Sequence, residues 1–357
     1  MTMILVLFED SGCYNLWPLT ATMPLYAVKI GPFRVFELWS KLLGIEKVAL
    51  FCRRGVEEYV DWILNAVDRR NIPVNPDSLD EEILAVNSSY LPLSEALDNA
   101  RRLRDYKGNV ILHRGGRPLM IRASRLIAEN LPEALRGVLE NELLLSFMGS
   151  FEDLPVTGRG EVSSLAEVPG LMEELLVTSL RVRGEGMILV EEGARVEEPV
   201  SLKPPVYIGG NVYIEPYTVI ISSSIEGPAR VGGYIDDSLI GAYSEVMSSR
   251  VEKTLLVGAN VLGPYSSSTG LDVRAMGFAS RVMPSSSLIN RALVGITSRV
   301  YGVFTGELGS GRVFKWGKVE RLHLDNAVEE LRKLLLSFGR LPSDYEISYL
   351  SEVLERR

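Results

Sequence analysis

Large aliphatic residues recur through the second half of the chain at a fixed step of six: Val190, Val196, Leu202, Ile208, Ile214 and Ile220. Four positions after each stands a small or β-branched residue: Ala194, Val200, Val206, Val212, Thr218 and Ser224. This is the hexapeptide signature of a β-helix, in which three short parallel strands and three tight corners complete a coil and the aliphatics point into a narrow prism. A conventional strand-rich domain alternates with period two, which would not hold a six-residue phase over successive copies. The phase slips after Ser224, resumes at Ile225 and Val231, and returns through Ile240, Val246 and Val257, then Leu288, Val294 and Val300. The slips predict loops thrown out of the coil. Gly263 to Pro284, which contains PYSSSTGLD, predicts an excursion or irregular coil. The expected element is a left-handed parallel β-helix over 187–317.

Residues 1–163 carry another pattern, strands alternating with helices. ILVLF at 4–8, KVALFC at 47–52 and EILAVN at 82–87 read as strands, with a helix from about Val56 to Arg70. LSEALDNARRLRDY follows as a helix with Ser94 as its N-cap, then strand NVILHR, a Gly-Gly turn and strand PLMIRA. The alternation predicts an α/β, Rossmann-like, mostly parallel sheet wound on both faces. Residues 164–186, with LMEELLVTSLRV after Pro169-Gly170, predict a linker helix. In the tail, 318–357, two amphipathic helices at 325–337 and 343–356 are expected to cap the prism or grip a neighbouring subunit.

Composition narrows the function classes. The longest apolar runs, MILVLF and ELLLSFM, fall short of the roughly 18 residues that a membrane span needs, and no basic segment precedes the first. A cytoplasmic protein without a membrane partner is expected. A net charge of −8 and no basic stripe argue against a nucleic-acid partner. Cys13 and Cys52, the only cysteines, give no disulfide framework or thiolate zinc site, and a bridge between them is not expected. The absence of glutamine and the abundance of Arg, Glu and Val suggest a hyperthermophile source.

An open parallel sheet binds ligands beyond the carboxyl ends of its strands, so the loop after the first strand is where a nucleotide is expected. That loop lacks a compact glycine-rich phosphate cradle. It offers Asp10 at the strand end, Thr20 and Thr22 as hydroxyl donors, and Lys29 as a cation before Gly31. Transfer of a nucleotidyl group needs charge neutralisation above all. Lys29 could supply the cation and Asp10 a magnesium ligand, against the plain reading of both as solvated surface charges.

YNLWPLTATMPLYAVKIGPFRVFELW, together with AVNSSYLP at 85–92, resembles the divergent branch of the bifunctional N-acetylglucosamine-1-phosphate uridylyltransferase family. The matching positions are Asn15, Leu16, Pro18, Leu19, Thr20, Thr22, Pro24, Ile30 and Gly31, with Lys29 where the family pattern has arginine and Asn87 as the asparagine after a strand. The order of parts and the closing FKWG at 314–317 also resemble that branch. The resemblance implies a first domain binding a nucleoside triphosphate and a sugar-1-phosphate with Mg2+, Lys29 as catalytic cation, and Asp10, Thr20, Thr22 and Asn87 at the nucleotide. It implies a second domain binding acyl-coenzyme A, such as acetyl-CoA, with an amino sugar, and a homotrimer formed through the helix.

The departures carry weight. Met23 stands where the family has an arginine, which removes a phosphate contact. The β-helix contains no histidine to serve as general base for acetyl transfer, so a carboxylate such as Glu245 or a substrate-assisted route would have to substitute. His113 and His323 read as structural, and Tyr207 and Tyr213, at equivalent outward hexad positions, read as a stacked surface ladder. Besides the nucleotidyltransferase, two alternatives stand: a non-catalytic sugar-nucleotide-binding or regulatory relative, and an acyltransferase with a vestigial first domain. Fold alone does not choose among them.

Overall fold

The structure, a computed structural model, describes residues 3–136, 151–156 and 158–355. The run ELLLSFM lies outside the described residues. Backbone contacts divide the chain into two units. The first comprises Met1–Leu16, Met23–Val28 and Phe33–Ser163, and the second comprises Trp17–Thr22, Lys29–Pro32 and Ser164–Arg357.

The first unit is built on β1 (Met3–Phe8), β2 (Val48–Leu50), β3 (Glu82–Asn87), β4 (Val110–Arg114), β5 (Arg117–Ala123) and β6 (Glu152–Pro155), arranged β2-β1-β3-β5-β4-β6. β1 runs parallel to β2 and β3, and β4 parallel to β6. The expected parallel alternation is broken once: β5 lies antiparallel between β3 and β4. The Gly115-Gly116 turn is the reason, because both residues have positive φ and fold β4 back into a hairpin. Val6, Phe8, Ala49, Phe51, Ile83, Ala85, Ile111 and Ile121 form one apolar face of the sheet. Among its helices are α1 (Val35–Leu43), α2 (Glu57–Asp61) and α3 (Ser94–Arg104), and two one-turn helices follow at Arg125–Ala128 and Pro132–Leu135. Ser94 is the first residue of α3, whose N-cap is Leu93, and the helix expected through Arg70 continues from α2 as a π-helical segment over Trp62–Val67.

The second unit is a parallel β-solenoid of about seven coils, in which hydrogen-bonded register fixes three columns of inward residues. One column runs Val190, Ile208, Ile225, Ile240, Leu256, Met276, Val294 and Leu308. The second runs Val196, Ile214, Val231, Val246, Leu262, Val282, Val300 and Phe314. The third runs Leu202, Ile220, Ile235, Val251, Ser268, Leu288 and Phe304. Members of all three columns form one continuous core.

One expectation is corrected and another is met in part. The phase slips up to Leu256 are shortened corners, as from Ile220 to Ile225 and from Val231 to Ile235, so Leu256 takes the inward place expected for Val257. Tight corners are made by residues in the left-handed region, among them Ser222, Asp237, Ser248 and Lys253. The step from Ser268 to Met276 is lengthened to eight residues and leaves Leu271 exposed in a bend, which is the excursion expected here, whereas the rest of Gly263 to Pro284 is regular coil with an inward Ser268. Its hydroxyl bonds Thr254 Oγ1 at 2.8 Å, which satisfies a polar group in an aliphatic column.

Helix α4 (Val168–Arg183) packs on the early coils. Helices α5 (Leu324–Ser337) and α6 (Asp344–Glu355) lie along the solenoid flank, where Leu331, Leu334, Leu335 and Leu350 meet Val261, Phe278, Ala279 and Ile296. Glu330 fixes α5 to the coils through Arg281 at 3.0 Å and Arg299 at 2.9 Å.

Candidate functional site

The carboxyl ends of β1, β2 and β3 open on one edge of the first sheet, and the antiparallel β5 begins at that same edge. Strand register therefore gathers Glu9 and Asp10 after β1, Cys52 and Arg53 after β2, Asn87 to Ser89 at the end of β3, and Arg117. This is where a twisted α/β sheet offers a crevice and free backbone groups to a ligand.

Two ion pairs organise the edge. Glu9 is fully buried and accepts from Arg53 Nη1 at 2.5 Å and from the Arg53 backbone N–H at 3.1 Å. Burial pushes the Glu9 carboxyl above its usual range, and Arg53 only partly opposes it. Asp10 Oδ1 accepts from Arg117 Nη2 at 2.5 Å and from the Gly12 backbone N–H at 3.0 Å, while Oδ2 accepts from Arg117 Nε. Arg117 Nη1 donates to Glu161 at 2.8 Å, and Nη2 donates to Ser89 Oγ at 3.0 Å. Although burial favours the neutral form of Arg117, Asp10 and Glu161 outweigh it and hold the guanidinium above its ordinary pKa.

Asn87 is buried with its amide spent on the fold. Its Oδ1 accepts from the Ser89 backbone at 3.0 Å and from Ser89 Oγ at 2.8 Å, and Nδ2 donates to the Pro118 carbonyl at 3.1 Å. Both cysteines are buried, and burial pushes each thiol up to about 12. His113, at the end of β4, meets Asp153 at 2.7 Å.

Thr20, Thr22 and Lys29 belong to the second unit, whereas Asp10 and Asn87 belong to the first. Thr20 and Thr22 are buried, and Thr22 Oγ1 has no hydrogen-bond partner among the described residues. Lys29 is half-buried, with Nζ 5.8 Å from the centre of the Tyr207 ring. Its segment is fastened to the solenoid and α4: Gly31 N–H donates to Ser224 Oγ, and Ser179 Oγ donates to the Ile30 carbonyl, both at 2.9 Å. Gly31 has φ +67, and a Cβ there would stand 2.9 Å from Ser179 Oγ, so close approach requires glycine.

The tyrosine ladder does not form. Tyr207 and Tyr213 lie on different solenoid faces: Tyr207 is buried, and Tyr213 sits between Arg195 and Arg230, 5.7 and 5.9 Å from its ring centre. Glu245 faces α5, where Ser337 Oγ donates to it at 3.3 Å.

Sequence reasoning passed over Glu9, Arg53, Arg117 and Glu161. A usable signal existed for two of them, because Arg53 directly follows a strand end and Arg117 opens the strand after the Gly-Gly turn. A resident magnesium ion finds no ready seat here: among the described residues no three His, Cys, Asp or Glu side chains group to hold a metal, and protein donors already bond both Asp10 oxygens.

No curated protein matches the chain. A family model described as sugar nucleotidyl transferase matches residues 5–148. Over that stretch, which carries β1 to β5 and the whole carboxyl edge apart from Glu161, the chain is similar to the sugar nucleotidyl transferases.

Proposed function

We propose that the chain is a sugar-1-phosphate nucleotidyltransferase, whose first unit takes a nucleoside triphosphate and a sugar-1-phosphate at the carboxyl edge of its sheet. The observation that carries this is the match of residues 5–148 to the sugar nucleotidyl transferases, over a sheet whose ligand edge holds two arginines fixed by buried carboxylates. In the reaction the sugar phosphate oxygen attacks the α-phosphorus in line, and pyrophosphate leaves with the bonding pair. Fixed cations stabilise the charge that builds on the phosphoryl oxygens. From the resemblance of the segment that holds them, Lys29 is the proposed catalytic cation and Thr20 and Thr22 the proposed hydroxyl donors to the nucleotide.

The finer likeness to N-acetylglucosamine-1-phosphate uridylyltransferases belongs to the same proposal. It would bring a left-handed solenoid, a homotrimer, a cytoplasmic location and acyl transfer from acetyl-CoA to an amino sugar on the second unit. The solenoid is compatible with acyl transfer, and this second activity is the alternative should nucleotidyl transfer fail. The test incubates the protein with each common nucleoside triphosphate, a panel of sugar-1-phosphates and magnesium at elevated temperature, and follows pyrophosphate. Release that depends on one sugar phosphate supports the proposal. No release with any pair, from folded protein, sinks it.

A further inference from the structure

The place of Arg117 bears on how the site carries positive charge. The guanidinium lies between two carboxylates that are themselves largely withdrawn from water, Asp10 at 6% side-chain exposure and Glu161 at 11%. Three of its N–H groups are directed at these two, and a fourth at Ser89 Oγ. The loop after β1 is shaped to admit it: a Cβ at Gly12 would stand 2.0 Å from Arg117 Nη2. Arg114 balances the second carboxylate, with Nη1 3.3 Å from Glu161. A divalent ion held by protein needs carboxylate oxygens with lone pairs to spare. Here Asp10 Oδ1 already accepts two hydrogen bonds and Oδ2 one.

We propose that Arg117 stands where a divalent cation would otherwise sit between Asp10 and Glu161, so that these two are positioning residues for a fixed guanidinium and not metal ligands. The phosphate facing this edge then meets a charge supplied by the chain. That last consequence rests on the proposed nucleotide site, whereas the metal question does not.

Mn2+ titration of the full chain, followed by the loss of the free-ion electron paramagnetic resonance signal, separates the two. Wild-type protein without nucleotide should leave the signal unreduced. Arg117→Gln should take up about one ion per chain, and adding Asp10→Asn should release it. Gly12→Ala, which crowds the guanidinium off Asp10 without removing its charge, serves as the variant should Arg117→Gln fail to fold, and should show weaker uptake of the same kind. Wild-type protein that sequesters Mn2+ and loses it in Asp10→Asn overturns the proposal. So does a folded Arg117→Gln that gains no site. In a second arm, pyrophosphate in excess chelator should bind wild-type protein, and about tenfold more weakly to Arg117→Lys. Failure of wild-type binding in that arm counts against the proposed nucleotide site, and the Mn2+ arm then decides the role of Arg117 alone.

Discussion

The solenoid and the sheet edge are held together by opposite means. In the solenoid most inward aliphatics meet an equivalent on the next coil, so the core is one interaction repeated, and Ser268 is tolerated because Thr254 Oγ1 answers its hydroxyl. At the sheet edge nothing repeats: Glu9 and Asp10 are adjacent in sequence, yet one is held by Arg53 and the other by Arg117. A repeated apolar column supplies stability with little specificity. Paired buried charges supply little net stability, but they fix geometry, because either partner alone is costly. Repeated apolar contact thus holds the solenoid, and paired buried charge fixes the sheet edge.

The largest effect should come from breaking the column. Val246→Asp puts a charge with no partner into the prism and should cost more than about 4 kcal/mol, or abolish folding, as read by denaturant unfolding. Next comes the edge. Arg117→Ala leaves Asp10 buried without its partner and should cost about 3 kcal/mol, with much of that recovered in an Asp10→Leu, Arg117→Leu double variant. An Arg117→Ala cost near zero would erase the distinction between the two units. Lys29→Ala should abolish nucleotide turnover while changing stability by no more than roughly 1 kcal/mol, the scale of its contact with Tyr207. Unfolding of that variant would instead mark Lys29 as structural.

Smaller still is a pH effect at Glu9. Burial raises its folded pKa above the ordinary 4.5, so the folded state keeps a proton that the unfolded state has lost. Its contribution is full below that ordinary value and is lost as pH rises through the raised one. Wild-type stability measured against Glu9→Gln should therefore fall as pH rises above the ordinary carboxyl value of 4.5. Last, Cys13 and Cys52, with thiols near 12, should resist alkylation in native protein at about pH 8 and react once it is unfolded.

The same contrast governs what could be read from sequence. Hexad spacing depends on near neighbours and a constant coil, so Val190 to Ile220 were legible directly, as was the strand Glu82–Asn87. Val257 was misplaced by one because a corner shortened, which changes the step without changing the residue types. PYSSSTGLD leaves the coil only at its Gly-Leu-Asp end, and its earlier part looked like an excursion because Ser268 fills an inward place with a hydroxyl whose partner lies on another coil. The edge was half legible. Asp10 announces itself at a strand end, but Arg117 is 107 residues away, and only the hairpin at Gly115-Gly116 brings it there. Thr20, Thr22 and Lys29 look like a continuous loop with Asp10, yet backbone contacts allot them to the other unit.

The most direct test of the central claim is hydrogen exchange on the full chain, with and without a nucleoside triphosphate and sugar-1-phosphate. The account predicts that ligand slows exchange in the segments after β1, β2 and β3, around Gly12, Arg53 and Ser89, and leaves the coils beyond Ile240 unchanged. Protection confined to those coils, with the sheet edge unaffected, would contradict it.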